Sequence, residues 1–187
     1  MRYSVALLLA CALPLAGCNN SPQVDKENAS VAEVQKEIAK ASASDKFVRA
    51  GLWESKVTIE EMEMPGMPAE MQGHMKEMMA QRQTDGYQSC LTEEEVKRPK
   101  EDFFAGNNNN CRYDHFTMGG GKIDAAMRCG DKGATQVMTM KGDYTPDSYN
   151  MQMSMNAKGG DGPESGMSMR MRVDAKRIGQ CTGKEKA

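Results

Sequence analysis

The chain has 187 residues, six cysteines and a formal net charge of −2. That length suits one domain with a short appendage, and a near-balanced charge without a basic stripe excludes nucleic acid as an expected partner. No GxSxG, HExxH, phosphate loop or cofactor fingerprint occurs, so no cofactor is expected and an enzyme ranks third among the functional readings.

The first segment is MRYSVALLLACALPLAGC. Arg2 supplies a short positive start, and Val5 to Leu15 is an apolar run too short to span a bilayer comfortably. Residues 1–17 therefore read as a signal peptide. Leu15-Ala16-Gly17-Cys18 resembles the bacterial lipobox, where cleavage precedes the cysteine and acyl chains are attached to it. The alternative is a plain signal peptide with an incidental cysteine. Each buried methylene contributes about 0.8 kcal/mol, so more than one chain on Cys18 gives durable membrane anchoring. By resemblance to Lol-sorted lipoproteins, Asn19 rather than Asp at the next position favours the outer membrane, with the domain facing the periplasm.

Residues 18–46 are expected to form a tether. Its first part, 19–29, is polar and reads as flexible. Ser30-x-x-Glu33 is a capping-box pattern that opens a short helix, with Val31, Val34 and Ile38 on one face. Ala41 to Ser44 reads as a linker. A β domain is expected over 47–182, followed by a disordered tail at 183–187.

Leu52 to Glu60 alternates as a strand, with Trp53, Ser55, Val57 and Ile59 on one face. A methionine-rich segment follows, and Pro68 suits the first turn of a helix running to Gln83. Thr84 to Leu91 is a second strand, and Thr92-x-x-Glu95 a second capping box. Gly106 and Asn107 to Asn110 read as a loop. CRYDHFTM-GGG-KIDAAMRC then forms a hairpin, its glycines free to take positive φ. With Gly120 at its centre, Cys111 lies opposite Cys129 and His115 opposite Ala125. Further strands are expected at 136–144, 149–157 and 166–173, the first two joined by Thr145-Pro146-Asp147-Ser148. Met151, Met153 and Met155 share one face, as do Met167, Met169 and Met171, so both strands are half buried.

Cys11 leaves with the signal peptide, and Cys18 carries lipid. Cys90, Cys111, Cys129 and Cys181 remain, an even number that reads as two disulfides in an exported chain. The hairpin register favours Cys111–Cys129, about 3 kcal/mol for such a loop, with Cys90–Cys181. The alternative is Cys90–Cys111 with Cys129–Cys181.

Gly51-Leu52-Trp53-Glu54, Cys90-Leu91-Thr92, Cys111 and Cys129 around a glycine turn, Gly142-Asp143-Tyr144 and Arg177-Ile178-Gly179-Gln180-Cys181 occur in that order. In this the chain resembles the bacterial family known as domain of unknown function 3617, over roughly 48–182. The resemblance implies an exported envelope protein with paired cysteines. It implies no activity and transfers no catalytic residue.

From Phe47 onward, seventeen methionines stand against nineteen other large apolar or aromatic residues. Most methionines must therefore be packing, in a core softer than one of leucine and valine. Met71, His74, Met75 and Met78 share one helical face at i, i+3, i+4 and i+7. Three readings compete for that face: packing on the sheet, an adaptable apolar surface, and a copper(I) site of thioethers with an imidazole. Met62, Met64 and Met67, around Pro65-Gly66, are expected to be exposed.

His115 reads as a sheet histidine, with Asp114 pointing to the opposite face and no nucleophile beside it. Glu93 to Glu95 read as a solvated helix start, and Gly119 to Gly121 as a turn and not a phosphate cradle. The expected fold is mainly β, an antiparallel meander of about seven strands in a curved sheet or partial barrel, with one or two short helices. The leading function is a non-enzymatic binding module, membrane-bound through its lipid, whose methionine-rich face takes an apolar ligand or an envelope protein. The alternative is a periplasmic copper(I)-binding or copper-responsive protein.

Overall fold

The computed structural model describes residues 23–41, 48–83, 86–97, 110–131, 133–159 and 166–183. The signal peptide, Cys18, Asn19, most of the 41–44 linker and residues 184–187 lie outside the described residues. Among the described residues, eight strands and three helices run in the order β1 (Val24–Ser30), α1 (Val31–Ala41), β2 (Gly51–Glu63), α2 (Ala69–Gln83), β3 (Tyr87–Leu91), α3 (Glu93–Lys97), β4 (Cys111–Gly119), β5 (Lys122–Asp131), β6 (Ala134–Thr145), β7 (Ser148–Lys158) and β8 (Ser168–Gly179). All eight strands form one antiparallel sheet ordered β1-β4-β5-β6-β7-β8-β2-β3, open at β1 and β3.

The mainly β architecture is as the sequence predicts, with one strand more. That strand is β1, in the stretch expected to be a flexible tether. It pairs Val24 with Met118 and Ala29 with Tyr113, and both its apolar residues are buried. The alternation is hidden because Asn28 takes a positive φ of 46° and drops out of the pairing, a conformation Asn tolerates. Asp25, Lys26 and Glu27 then read as tether, although charged residues are normal on an edge strand.

α1 starts with the expected box. The Ser30 backbone N–H donates to Glu33 Oε2 at 2.8 Å, and the Glu33 N–H donates to Ser30 Oγ at 3.3 Å. Its apolar face is no part of a tether: Val34 and Ile38 are buried with Tyr113 and Phe116 of β4 in the main core. Phe116 and Val34 are both fully buried, and Phe116 meets Tyr113 edge-on at 5.3 Å. The second box also forms, with the Thr92 N–H donating to Glu95 Oε2 at 3.0 Å and the Glu95 N–H to Thr92 Oγ1 at 3.2 Å.

Of three one-residue irregularities in the ladders, at Ile178 in β8, Glu60 in β2 and Asp114 in β4, the last two decide which side chains reach the apolar face. In β2, Ile59 pairs with Met171 and Glu61 with Arg170, so Glu60 is a bulge. The strand does not end there. It runs on to Glu63 with its alternation inverted, which turns Met62 inward. Met62 and Met64 are 8% and 4% exposed, the reverse of the sequence expectation, while Met67 is half-buried. In the β4–β5 hairpin the turn is Gly120-Gly121, at φ 59° and 78°, a two-residue turn that needs positive φ twice. That alone moves the register by one from the sequence reading. The bulge at Asp114 moves it back, so Cys111 still faces Cys129 while His115 faces Ala126.

Disulfides join Cys90 to Cys181 and Cys111 to Cys129. The first ties β3 to the chain just beyond β8. β8 itself runs past Val173 to Gly179, further than its alternation suggests, because the first half of β2 continues the ladder from Val57–Val173 to Leu52–Gly179.

Candidate functional site: the methionine face

The registers align one face of the sheet into apolar rows. One row runs Phe116, Ala125, Met140, Met153, Met171, Ile59, and the next runs Tyr113, Met127, Met138, Met155, Met169, Met62. Side chains directly opposite in an antiparallel pair share a face at contact distance, so each row is a continuous apolar strip across six strands.

Burial along the strips is uneven. Phe116 on β4, Met127 on β5 and Met140 on β6 are 0%, 3% and 5% exposed, in one core cluster with Val34 and Ile38 of α1 and Val24 and Ala29 of β1, while Met138 is half-buried. Met153, Met155, Met169 and Met171 on β7 and β8 are only half-buried. The cause is the placement of the helices. α1 packs on β1 and β4, and α2 rests on β2; contact of any described helix with β7 or β8 is at most marginal. At one end of the face Trp53 stacks on Tyr149 at 5.6 Å and donates from Nε1 to the Arg49 carbonyl at 3.0 Å. Burial raises the phenol pKa of Tyr149, and pushes that of Tyr113 up to about 12.

α2 lies apart from this face. Its first turn is fixed by Gln72, whose Nε2 donates to the carbonyls of Met64 at 2.9 Å and Met67 at 2.8 Å. Met71 and Met78 are 55% and 53% exposed, His74 is exposed and Met75 half-buried. The expected packing of this helix on the sheet through its methionines is therefore corrected for Met71 and Met78. Met62, which the bulge turns inward, and Met64 are buried instead.

The opposite face is polar. His115 Nε2 and Asp124 Oδ1 are 3.0 Å apart, and Lys141 Nζ lies 3.0 Å from Asp124 Oδ2. The His115 hydrogen bond, then Lys141, hold the Asp124 carboxyl below its ordinary pKa. The sequence gives no hint of Asp124, since the pairing depends on a register it misplaces by one residue. Arg128 binds Asp114 at 3.0 Å. The bulge carboxylate, Glu60, gathers Arg170 at 3.3 Å and the Gln152 amide at 3.0 Å. Among the described residues no group of three or more His, Cys, Asp or Glu side chains is placed to hold a metal ion. An open groove of about 470 Å³ lies by the β6–β7 turn, with Glu54, Lys56, Asp143, Tyr144, Tyr149 and Lys176 among its walls.

Fold and face together define an open, disulfide-linked antiparallel sheet with one methionine-rich side. The chain belongs to the family described as "Protein of unknown function (DUF3617)", whose model matches residues 48–181. β1, the edge strand beside β4, and α1, which packs on both, precede the matched region. No curated protein and no solved structure matches the chain.

Proposed function

We propose that this is an envelope lipoprotein, held by acyl chains on Cys18 to the periplasmic side of the outer membrane, and that it acts as a non-enzymatic binding module. Its occupant is an apolar ligand or the apolar patch of an envelope protein. One observation carries the reading: Met153, Met155, Met169 and Met171, with Met138 and Ile59 on either side, form a half-buried patch in strips whose β4 and β5 residues are buried. Flexible, polarizable thioethers adapt to varied apolar shapes at low cost. The lipobox residues and the two disulfides support the compartment, since disulfides persist outside the reducing cytosol.

Protein extracted gently from its native membrane and analysed by mass spectrometry should carry a repeatable apolar species or a co-purified envelope protein. A Met155→Glu, Met169→Glu variant should lose it while its circular dichroism stays native. Equal retention by the variant moves the site elsewhere, and a wild type that repeatedly carries neither sinks the reading.

A second reading, copper(I) binding, is favoured by the exposure of Met71 and Met78 beside His74 on one face of α2. Thioethers that do not pack are free to coordinate a soft ion. Titration with Cu(I) against a competing chelator should show uptake that a His74→Ala, Met75→Ala variant lacks. Matching curves for the two proteins remove this reading.

A further inference from the structure

The lipid anchor has a short leash. Cys18 precedes Gln23 by five residues, and five extended residues reach at most ~17 Å. Gln23 is already part of the folded domain: it lies over Gly119, where an added Cβ would come within 3.1 Å of Gln23 Cγ. Val24 follows at once, 2% exposed and paired with Met118. The sheet is much larger than the leash. β6 has 12 residues, ~40 Å at the usual strand rise, and eight strands set ~4.8 Å apart span ~34 Å. An anchor of this length therefore constrains one corner of the sheet and not the rest.

That corner is formed by Gln23–Val24 and the β4–β5 turn, Gly119 to Lys122. It adjoins the open groove. The Tyr144 N–H donates to the Gly121 carbonyl at 2.7 Å, and Lys122 Nζ meets Asp143 Oδ1 at 2.9 Å; Asp143 and Tyr144 are groove walls. We infer that acylated Cys18 holds this corner against the bilayer, so that the groove beside the β6–β7 turn meets the lipid surface and the other ends of β5, β6 and β7 stand away from it. The inference rests on the lipoprotein reading above. Its partner is the lipid headgroup layer, and it gives the methionine rows a direction, since they succeed one another away from the membrane.

The test uses the full, lipidated protein in vesicles with acceptor dye on the lipid headgroups. A donor dye is placed through Lys122→Cys or Lys158→Cys; the native cysteines of the domain are bridged. Lys122 pairs with Asp143, and Lys158 with Thr135, eight residues further along β6, ~27 Å away. Energy transfer should be severalfold stronger from position 122. Inserting about 30 Gly/Ser residues after Asn20, with a root-mean-square span of ~30 Å, should abolish the difference. Equal transfer from the two positions overturns the orientation, and a difference that survives the spacer overturns the leash as its cause. The mass of the N-terminal peptide separates these outcomes from failure of the underlying reading: an unacylated Cys18 refutes the anchor itself.

Discussion

Ser30 and Glu33 stabilise α1 through reciprocal hydrogen bonds, and the ionised Glu33 carboxylate accepts from both the Ser30 N–H and the Ser30 hydroxyl. The Ser30 backbone amide, then its hydroxyl, hold the Glu33 carboxyl below its ordinary pKa of 4.5. Asp124 is likewise held below 3.8, by His115 first. A depressed carboxyl contributes stability that is complete above its unfolded pKa and is lost as pH falls through the folded one. Stability in urea should therefore be level from neutrality down to pH ~5 and decline below pH ~4.5. Ser30→Ala should cost about 1 kcal/mol at neutral pH, and Glu33→Gln, which removes the titrating group, should flatten that decline. A decline as steep in Glu33→Gln would show that other carboxylates carry the acid sensitivity. Gly142 makes a second residue-scale case. It sits in a row between Ile123 and Met151, and a Cβ there would lie 2.1 Å from the Asn150 carbonyl oxygen. Gly142→Ala should cost about 1–3 kcal/mol, at the upper end because the obstacle is backbone, and a thermal melt would detect it. The capping box was legible because its partners stand three residues apart. The Asp124–His115 contact was not, because no local pattern sets which residues of two strands meet.

At the scale of elements, single-residue bulges decide which side chains reach the apolar face. Glu60 leaves β2 out of step by one, and Met62 and Met64 turn inward as a result. Deleting Glu60 should send both to solvent. Burying a methionine contributes about 1.5–3 kcal/mol, so the deletion should cost about 3–6 kcal/mol in chemical denaturation, whereas Glu60→Ala, which keeps the bulge and loses surface ion pairs, should cost under about 1 kcal/mol. Equal costs would show that the phase change is not what buries the two methionines. The sequence carried a signal here, since Met62 and Met64 alternate with Glu61 and Glu63; the strand simply changes phase at Glu60. The hairpin is the converse case. Cys111 faces Cys129 in the sequence register and in the structure alike, because the shorter Gly120-Gly121 turn and the bulge at Asp114 shift the register in opposite directions, while His115, between the two, sits one position away from its sequence partner.

Over the whole molecule, the two disulfides act on different scales. Cys111–Cys129 spans 18 residues within one hairpin, and Cys90–Cys181 spans 91 residues, tying the β3 edge to the chain end. Loop-closure entropy assigns the longer link about 4.6 kcal/mol and the shorter about 3 kcal/mol. Cys90→Ala, Cys181→Ala should therefore destabilise more than Cys111→Ala, Cys129→Ala, as compared by urea midpoints of the oxidised proteins. The reverse order would mean that local hairpin geometry outweighs chain entropy. The same scale governs the core. With Val34 and Ile38 of α1 packed at the β4 end, the methionine strips are buried there and half-open from Met138 across β7 and β8 to Ile59, and that opening supports the binding proposal.

The sequence alone determined the antiparallel β class, the capped helices and the family, because alternation, capping spacing and short motifs are local or near-local signals. It also determined that methionine must build much of the core, since the chain offers few other large apolar residues. The tertiary structure decided that β1 completes the sheet, that α1 covers Phe116, and that Met62 and Met64 lie inside while Met71 and Met78 lie outside. Each of those outcomes turns on register, and a register is settled by which distant strand pairs with which, where one extra residue exchanges the buried face for the wet one.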